Sequence, residues 1–290
     1  MNIRFATGVP SASDTVEACG VPLAVHRTGS GPAVVCLHAI GHGSGDFEAF
    51  ASATSDSFQV VRIDWPGQGR SGPDHEPPRP ARYAELLGIV LDQLGIREPI
   101  IIGNSIGGAA AIVYASRQPV RALVLCDTGG LVEVNRTVRT FCGVFARFFA
   151  AGEREARWFK PAFRAYYRFI VLPANAAARQ RERIIDAGYE LAGTMRSAWE
   201  GFGRPDADIR ELATSLAVPV WFAWARSDKV IPLSACMPTI QRMKNASVTE
   251  FDAGHAAFLE QPEKFAREFR AFAASLDRGN RDHERAARTG

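Results

Sequence analysis

The chain has 290 residues, of which 47% are hydrophobic and 22% charged, and its formal net charge is +3. This length and apolar content predict one large core with an insertion, because single cores stop growing near this size. The weak net charge and the lack of a recognisable reader motif argue against nucleic-acid binding. No stretch approaches the roughly 20 apolar residues that a membrane span requires, so we expect no membrane partner.

The cysteines and the first residues of the chain indicate a compartment. Five cysteines form an odd set without close pairs, which does not suit a disulfide framework. Residues 1–13 contain no apolar run of the kind that a signal peptide requires. These features predict a cytoplasmic protein whose partner is a small-molecule substrate. They leave its oligomeric state open.

Apolar runs and helical patterns alternate along the chain. Strands separated by helices indicate a parallel sheet covered on both faces, and the first strands indicate an antiparallel edge. The sequence therefore predicts an α/β fold with a mostly parallel eight-stranded sheet, built from residues 1–129 and 209–276. The predicted strands lie at 14–19, 22–27, 33–38, 58–64, 99–104, 120–126, 218–225 and 246–251. The predicted helices lie at 44–54, 80–94, 105–117, 232–243 and 256–275.

A glycine-rich turn, residues 38–43, follows the strand at 33–38. Such a turn can offer a backbone N–H to a developing oxyanion, and loss of one donor typically costs on the order of 3 kcal/mol of transition-state stabilisation. We predict the Ile40 N–H for this role, with Ala39 as the alternative. His38 and His42 could together bind a metal, but no cysteine or carboxylate cluster accompanies them. We therefore predict no metal site and expect His38 to brace the turn by hydrogen bonding.

The most informative stretch is residues 103–107, Gly-Asn-Ser-Ile-Gly, between an apolar run and an alanine-rich helix. A serine in such a strand-turn-helix unit is held in a strained conformation with its hydroxyl exposed. The flanking glycines are needed because a Cβ there would strike the neighbouring strand or helix. We predict that Ser105 is a nucleophile and that the Ile106 N–H, at the positive end of the helix, binds an oxyanion.

A serine nucleophile requires a histidine to take its proton and a carboxylate to orient that histidine. Downstream, the apolar strand at 218–225 leads to a loop with Asp228, and the strand at 246–251 leads to His255. The predicted catalytic residues are therefore Ser105, Asp228 and His255, in this chain order. Asp127, which ends the strand after the serine, is the alternative acid.

Residues 130–208 interrupt the alternation of strands and helices and are too long for a normal loop. We predict an inserted helical lid over the serine. Its many aromatic rings favour an apolar or aromatic substrate group, although their helical spacing also suits rings that pack the lid on itself. The predicted substrate contacts are Asn104, Phe141, Phe145, Trp158 and Phe258.

Charged side chains are concentrated in the lid and in the tail. A lid arginine could pair with a substrate carboxylate, and the candidates are Arg164, Arg168 and Arg183. The tail, residues 277–290, is charged and lacks large apolar residues, so we predict that it is disordered.

Five motifs in this order resemble those of the α/β-hydrolase superfamily of lipases, esterases and C–C hydrolases. They are the turn at 38–41, the turn at 64–71, the serine turn at 103–107, the Asp228 loop and the Gly254-His255 loop. The resemblance covers residues 14–276 and implies this fold and the Ser-Asp-His triad. The family's usual His-Gly pair is His38-Ala39 here, which leaves the second oxyanion donor open. Haloalkane dehalogenases and epoxide hydrolases of this fold use aspartate in place of Ser105, which argues against both activities.

The motifs together predict a serine hydrolase that cleaves a carboxylic ester or lactone with an apolar or aromatic group. The reaction passes through an acyl-enzyme and requires no cofactor. One alternative is a C–C bond hydrolase of meta-cleavage products, to which residues 103–108 and 127–131 are similar. A second is an acyltransferase, thioesterase or perhydrolase with the same triad. A third is a non-catalytic ligand receptor that retains the triad.

Overall fold

A computed structural model describes the backbone of residues 11–289 and the side chains of residues 13–278. Residues 1–10, most of the stretch in which the sequence predicts no signal peptide, lie outside this description, as does Gly290. Within the described part of the chain, no helix has both the length and the hydropathy needed to cross a bilayer.

The described residues form one eight-stranded sheet. Its strands are β1 (Ser11–Ala18), β2 (Val21–Thr28), β3 (Ala33–Leu37), β4 (Gln59–Ile63), β5 (Ile100–Asn104), β6 (Ala122–Cys126), β7 (Val220–Ala225) and β8 (Ala246–Phe251). Their spatial order is β1-β2-β4-β3-β5-β6-β7-β8. β2 pairs antiparallel with β1 and with β4, and the remaining neighbours are parallel. The predicted mostly parallel sheet with an antiparallel edge is confirmed.

The central strands are buried on both faces, which explains their continuous apolar sequences. Every residue of β5, β6 and β7 is buried, as expected for parallel strands covered by helices on each side. Because these strands are parallel, their carboxyl ends share one edge of the sheet. The serine turn, Asp127 and the Asp228 loop all begin at this edge, where open α/β sheets bind their ligands.

Helices separate the strands and cover both faces of the sheet. They are α1 (Glu48–Thr54), α2 (Pro80–Gln93), α3 (Ile106–Ala115), α4 (Arg136–Glu153), α5 (Phe159–Tyr166), α6 (Ala178–Asp186), α7 (Gly188–Phe202), α8 (Arg210–Ser215), α9 (Leu233–Ile240), α10 (Ala257–Glu260) and α11 (Pro262–Thr289). The helix predicted at 256–275 is divided into α10 and α11. Pro262 explains the break, because proline lacks an N–H and disfavours a helical conformation in the residue before it.

Residues 130–208 form a helical insertion between β6 and β7 that contains α4, α5, α6 and α7. Much of its aromatic content packs within the insertion itself. Phe149, Phe159 and Phe163 are fully buried there, and the Phe145 ring stacks on Trp199 with centroids 4.4 Å apart. Aromatic rings therefore hold the insertion together as well as facing the space beneath it.

The last helix, α11, extends into the stretch in which the sequence predicts a disordered tail. The backbone of α11 continues without interruption through 277–289. Its first half is anchored by Phe265 and Phe269, both fully buried. Residues 278–290 contain four arginines and two alanines, which have high helix propensities, so a charged composition without large apolar residues does not itself end a helix.

Candidate active site

Ser105 occupies a strained backbone position at the carboxyl end of β5. Its φ of 55° and ψ of −117° lie where residues with a Cβ are rarely found. Two hydrogen bonds hold this conformation: Ser105 N–H donates to the Cys126 carbonyl at 3.0 Å, and Gly129 N–H donates to the Ser105 carbonyl at 3.2 Å. The strained turn predicted from the sequence is confirmed.

The glycines around the serine permit an unusually close approach of α3 to the sheet. A Cβ on Gly103 would lie 2.6 Å from the Gly107 backbone. A Cβ on Gly107 would collide with the Leu37 carbonyl, and one on Gly108 with the Thr128 hydroxyl. The structure thus confirms that glycine is needed on both sides of Ser105 for steric reasons.

His255 and Asp228 form a buried hydrogen-bonded pair beside the serine turn. His255 Nδ1 lies 2.9 Å from Asp228 Oδ2, which places a ring proton on Nδ1 and leaves Nε2 as an acceptor in the neutral imidazole. Asn104 Nδ2 donates to the His255 carbonyl at 3.0 Å, so the residue before Ser105 is tied to the histidine loop. Neither Ser105 Oγ nor His255 Nε2 has a hydrogen-bond partner among the described residues. Such bonds often tighten only when substrate binds.

The two candidate acids have different surroundings. Asp228 accepts a hydrogen bond from His255 Nδ1–H with one oxygen. Its other oxygen accepts from the Val230 and Ile231 N–H groups, at 2.7 and 2.9 Å. Asp127 accepts from Ala225 N–H at 2.7 Å, and its second oxygen is buried without a partner among the described residues. Only Asp228 has the geometry to orient the imidazole.

The charges of these groups follow from their environments. Burial lowers the pKa of His255, but the adjacent Asp228 carboxylate outweighs this effect and raises it to about 9. Burial and the charge of Asp228 both raise the pKa of Asp127 well above its usual range. These surroundings favour the neutral form of Asp127, whereas Asp228 is the acid that lies in hydrogen-bond contact with the imidazole.

A cavity of about 500 Å³ lies between the insertion and the carboxyl edge of the sheet. Ser105, His255, Ile106 and Ile40 line its floor. The rest of its wall is largely apolar and comes from both the insertion and the core. These apolar residues include Leu131, Val138, Met195, Trp199, Phe202 and Ile231.

The turn after β3 leaves few N–H groups available to the cavity. Gly41 N–H donates to Gln68 Oε1 at 2.6 Å, and His42 N–H donates to the Ala39 carbonyl at 3.3 Å. Among the described residues, the Ala39, Ile40 and Ile106 N–H groups have no protein acceptor. The two residues predicted as oxyanion donors, Ile40 and Ile106, both line the cavity, and Ala39 remains the alternative.

A comparison with protein families decides the classification. The model of the Alpha/beta hydrolase family matches residues 34–268, most of the chain. The chain belongs to the α/β-hydrolase family. It is a hydrolase with that family's fold, as the sequence motifs predicted.

Three known proteins show how similar this chain is to relatives and to a solved structure. The 2-hydroxymuconate semialdehyde hydrolase of Pseudomonas putida is 28% identical over 292 residues, which cover 92% of this chain and 96% of that protein. The pimeloyl-[acyl-carrier protein] methyl ester esterase of Chromobacterium violaceum is 29% identical over 263 residues, or 84% and 95% of the two chains. The structure of the enol-lactonase from Burkholderia xenovorans LB400 has a TM-score of 0.75 at 20% identity and covers 90% of this chain and 100% of that chain.

His38 braces the turn after β3, as predicted. Its Nε2 accepts a hydrogen bond from Trp65 N–H at 2.9 Å, and its Nδ1 donates to the Ala39 carbonyl at 2.7 Å. Both ring nitrogens of His38 in this α/β-hydrolase are therefore occupied. Trp65 Nε1 also donates to the His38 carbonyl at 2.9 Å, which fixes the turn from a second side.

Only Phe141 of the five predicted substrate contacts lines the cavity. Asn104 is fully buried and uses its amide to bind the Cys126 and His255 carbonyls, so it positions the site instead of contacting substrate. Phe258 is fully buried against Phe47, with stacked rings 4.2 Å apart.

The other two predicted contacts, Phe145 and Trp158, also lie outside the cavity wall. Phe145 stacks on Trp199, which is the ring that reaches the cavity from this pair. Trp158 is 56% exposed on the outer face of the insertion. Helical spacing identifies rings that share a face but does not tell which face turns inward, and this explains the error at Phe145.

The arginines proposed for a substrate carboxylate do not reach the cavity. Arg164 is exposed and pairs with Glu182, and Arg168 and Arg183 are not among the lining residues. Arg210 is the one arginine that lines the described cavity, and its guanidinium is already held by Asp208 at 2.8 to 3.1 Å. The cavity therefore offers no unpaired arginine to an anionic substrate within the described residues.

Asp127, Asp228 and His255 are the one described group whose potential metal-ligand atoms lie within 4.8 Å of one another. Both oxygens of Asp228 and Nδ1 of His255 are committed to the hydrogen bonds described above. The arrangement suits proton transfer better than metal coordination, since a single free carboxyl oxygen on Asp127 would remain to bind an ion.

Glu260 is a positioning residue that sequence reasoning did not find. Its Oε1 accepts from the Gly254 and His255 N–H groups at 2.7 and 3.1 Å. Its Oε2 accepts from Ala174 N–H in the insertion at 3.1 Å. A carboxylate five residues after His255, at the end of a short helix, is the only signal that the sequence offers. The side chain fixes the histidine loop and joins it to the insertion.

We expect Glu260→Gln to lower kcat for ester hydrolysis by about 10-fold or more while KM changes little, because the amide turns an NH2 group towards backbone donors. The loss of about 1 to 3 kcal/mol of stability from unsatisfied buried groups should accompany it. Steady-state kinetics and urea denaturation measure the two effects. Glu263→Gln, an exposed change on α11, is the matched control. Equal kcat in both variants would show that Glu260 does not position His255.

Proposed function

We propose that this α/β-hydrolase is a serine hydrolase of uncharged carboxylic esters or lactones that carry an apolar or aromatic group. The observation that supports the proposal most is the combination of a strained Ser105 with the His255–Asp228 pair at the floor of one apolar cavity. A serine hydroxyl is a weak nucleophile, and this combination is what activates it.

In the proposed reaction, Ser105 Oγ attacks the carbonyl carbon while His255 Nε2 takes the hydroxyl proton. Asp228 holds the Nδ1–H and stabilises the imidazolium. The Ile106 and Ile40 N–H groups bind the oxyanion. His255 then gives its proton to the leaving alcohol, which departs and leaves an acyl group on Ser105. Water attacks this ester with His255 as base, and the acid product and free serine are regenerated.

The character of the cavity supports an uncharged, apolar substrate. Its wall is mostly aliphatic and aromatic, and burying an unpaired carboxylate there would be strongly unfavourable. The single arginine in the wall is neutralised by Asp208. The ester-cleaving relative from Chromobacterium violaceum, 29% identical, is consistent with this choice.

A chromogenic panel tests the proposal. It should contain p-nitrophenyl esters of increasing acyl length, aromatic esters, lactones and a dienol-type vinylogous keto acid. We expect turnover of the neutral esters or lactones and rates for the keto acid at least about 10-fold lower in kcat/KM, since that substrate brings an unpaired carboxylate. Failure to hydrolyse any ester or lactone would contradict the proposal.

The C–C hydrolase remains the second candidate because the Pseudomonas putida relative, a 2-hydroxymuconate semialdehyde hydrolase, is 28% identical over nearly the whole chain. This candidate predicts the opposite ranking in the same panel. Faster loss of the keto acid's absorbance than of any ester would favour it. Added alcohols or peroxide test acyl transfer, since they compete with water for the acyl group on Ser105.

The raised pKa of His255 predicts the pH profile. The imidazole must be neutral to accept the serine proton, and it is protonated below a pKa of about 9. We therefore expect kcat/KM for a neutral ester to rise with pH, by about 10-fold per unit well below the pKa, and to level off above it. A profile that is already flat at neutral pH would show that Asp228 does not raise the pKa of His255.

A further inference from the structure

A second buried histidine–carboxylate pair lies in the wall of the same cavity. His42 Nδ1 is 2.5 Å from Asp46 Oδ2, and both side chains are only 2% exposed. His42 lines the cavity together with Ser105 and Ile40. The proposed reaction uses neither member of this pair.

The surroundings of Asp46 fix the proton of His42 on Nδ1. Gln180 Nε2 donates to Asp46 Oδ1 at 2.9 Å. The orientation of the Gln180 amide is set in turn, because its oxygen accepts from Arg183 Nη1 at 2.7 Å. Asp46 thus accepts a hydrogen bond at each oxygen, and a carboxylate there requires His42 Nδ1 to be the donor. In the neutral imidazole, the His42 Nε2 then carries a lone pair.

That nitrogen has no partner among the described residues. The contrast with His38, four residues earlier in the same turn, is informative because both ring nitrogens of His38 are hydrogen-bonded within the protein. A polar atom of a residue in a cavity wall can be satisfied by a ligand or by water. The His42 ring is also held in place, since it packs against Tyr167 with centroids 5.8 Å apart. His42 is therefore a fixed acceptor in a largely apolar wall.

We propose that His42 Nε2 accepts a hydrogen bond from a hydroxyl group of the substrate, outside the scissile ester. The substrates are then hydroxylated esters or lactones with an otherwise apolar skeleton. This inference rests on the proposed function and specifies its substrate class. Asp46 acts through His42 as a positioning residue that selects the tautomer.

The test compares three p-nitrophenyl esters of equal chain length. One carries a hydroxyl on the acyl chain, the second is its methyl ether and the third is its deoxy analogue. The set is repeated with the substituent at successive positions along the acyl chain. At the best position we expect wild-type kcat/KM to be about 10-fold higher for the hydroxyl ester than for the other two, the effect of one hydrogen bond. In His42→Phe this ratio should fall to about one. His75→Phe, the same change at an exposed histidine, should keep the wild-type ratio.

Asp46→Asn provides a second, opposite test. Gln180 Nε2 would still donate to the one side-chain oxygen that this variant keeps, so the new amide NH2 would face His42 Nδ1 and move the ring proton to Nε2. The methyl ether, which only accepts hydrogen bonds, should then approach the hydroxyl ester in kcat/KM. The ¹⁵N chemical shifts of His42 should report the change of tautomer directly.

The outcomes separate the two proposals. If wild type hydrolyses the deoxy ester but shows no preference for the hydroxyl at any position, or if His42→Phe keeps that preference, the role of His42 is wrong while the hydrolase stands. If no ester is hydrolysed, the proposed function fails. Binding is then measured in Ser105→Ala with the corresponding hydroxylated and methoxylated amides. A shift of the His42 Nε2 resonance with the hydroxylated amide alone supports the site, and no shift with either amide overturns it.

Discussion

Replacing Ser105 with alanine is expected to lower kcat for a short p-nitrophenyl ester by about 10⁴-fold or more, because removal of the nucleophile leaves only binding and oxyanion stabilisation. The strained turn should survive the change. Alanine has the same Cβ as serine, so it meets the φ of 55° at similar cost, and the hydrogen bonds that hold the turn are made by backbone atoms. Steady-state kinetics and thermal denaturation measure both parts of this expectation.

Ser116→Ala is the matched control for this variant. Ser116 follows the same helix, α3, and its hydroxyl donates to the Val113 carbonyl away from the cavity. This change should leave kcat within about 3-fold of wild type, since it removes at most one partly exposed hydrogen bond. Activity of Ser105→Ala above about a few per cent of wild type, with the control unchanged, would refute the nucleophile assignment.

Two isosteric changes should distinguish the catalytic roles of the neighbouring carboxyl groups. Asp228→Asn is expected to lower kcat by about 10⁴-fold, because the amide cannot hold the Nδ1–H tautomer or stabilise the imidazolium. Asp127→Asn should change kcat by less than about 3-fold, because Asp127 makes no hydrogen bond to His255 and the amide keeps an oxygen that accepts from Ala225 N–H. Steady-state kinetics of the two variants on the same ester measure the difference in kcat.

The pH profiles of these variants provide a separate check. Without the Asp228 charge, the pKa of His255 should fall, since burial alone lowers it. Asp127→Asn should lower the pKa of His255 by less than Asp228→Asn does, because Asp228 contributes more than Asp127 to raising it. If Asp127→Asn were the inactive variant, then Asp127, the alternative acid of the sequence analysis, would be the catalytic carboxylate.

The fold was predictable because its signals are local and redundant. Each predicted strand corresponds to one of the eight observed strands, since a strand buried on both faces needs a continuous apolar run such as that of β5. The close approach of α3 to the sheet requires glycine at fixed positions, and only a few residue patterns satisfy that requirement. Helix boundaries were less certain, as the division at Pro262 illustrates.

The cavity wall was not predictable in the same way. Phe141 and Phe145 are four residues apart on α4, yet one lines the cavity and the other stacks on Trp199. Which ring turns inward depends on how α4 and α7 pack, and that is set by contacts far apart in sequence. The same holds for Glu260, whose partners include the insertion residue Ala174.

The pair of His42 and Asp46 did carry a sequence signal. The two residues are four apart, a spacing that brings side chains together on a helical turn, and Asp46 lies in the turn of 3₁₀ helix before α1. From the sequence, His42 was weighed only together with His38, as a metal site. Its partner is instead the Asp46 carboxylate, which follows it in the chain. The structure shows this pairing because both side chains are buried against each other.

The central claim is that Ser105 is the group that forms a covalent bond to substrate. Treatment with a fluorophosphonate, which reacts with activated serines, followed by peptide mass spectrometry tests this most directly. We predict a single adduct on Ser105, formed far more slowly in Asp228→Asn than in wild type. An adduct on another residue, or none under conditions in which wild type hydrolyses esters, would contradict the account.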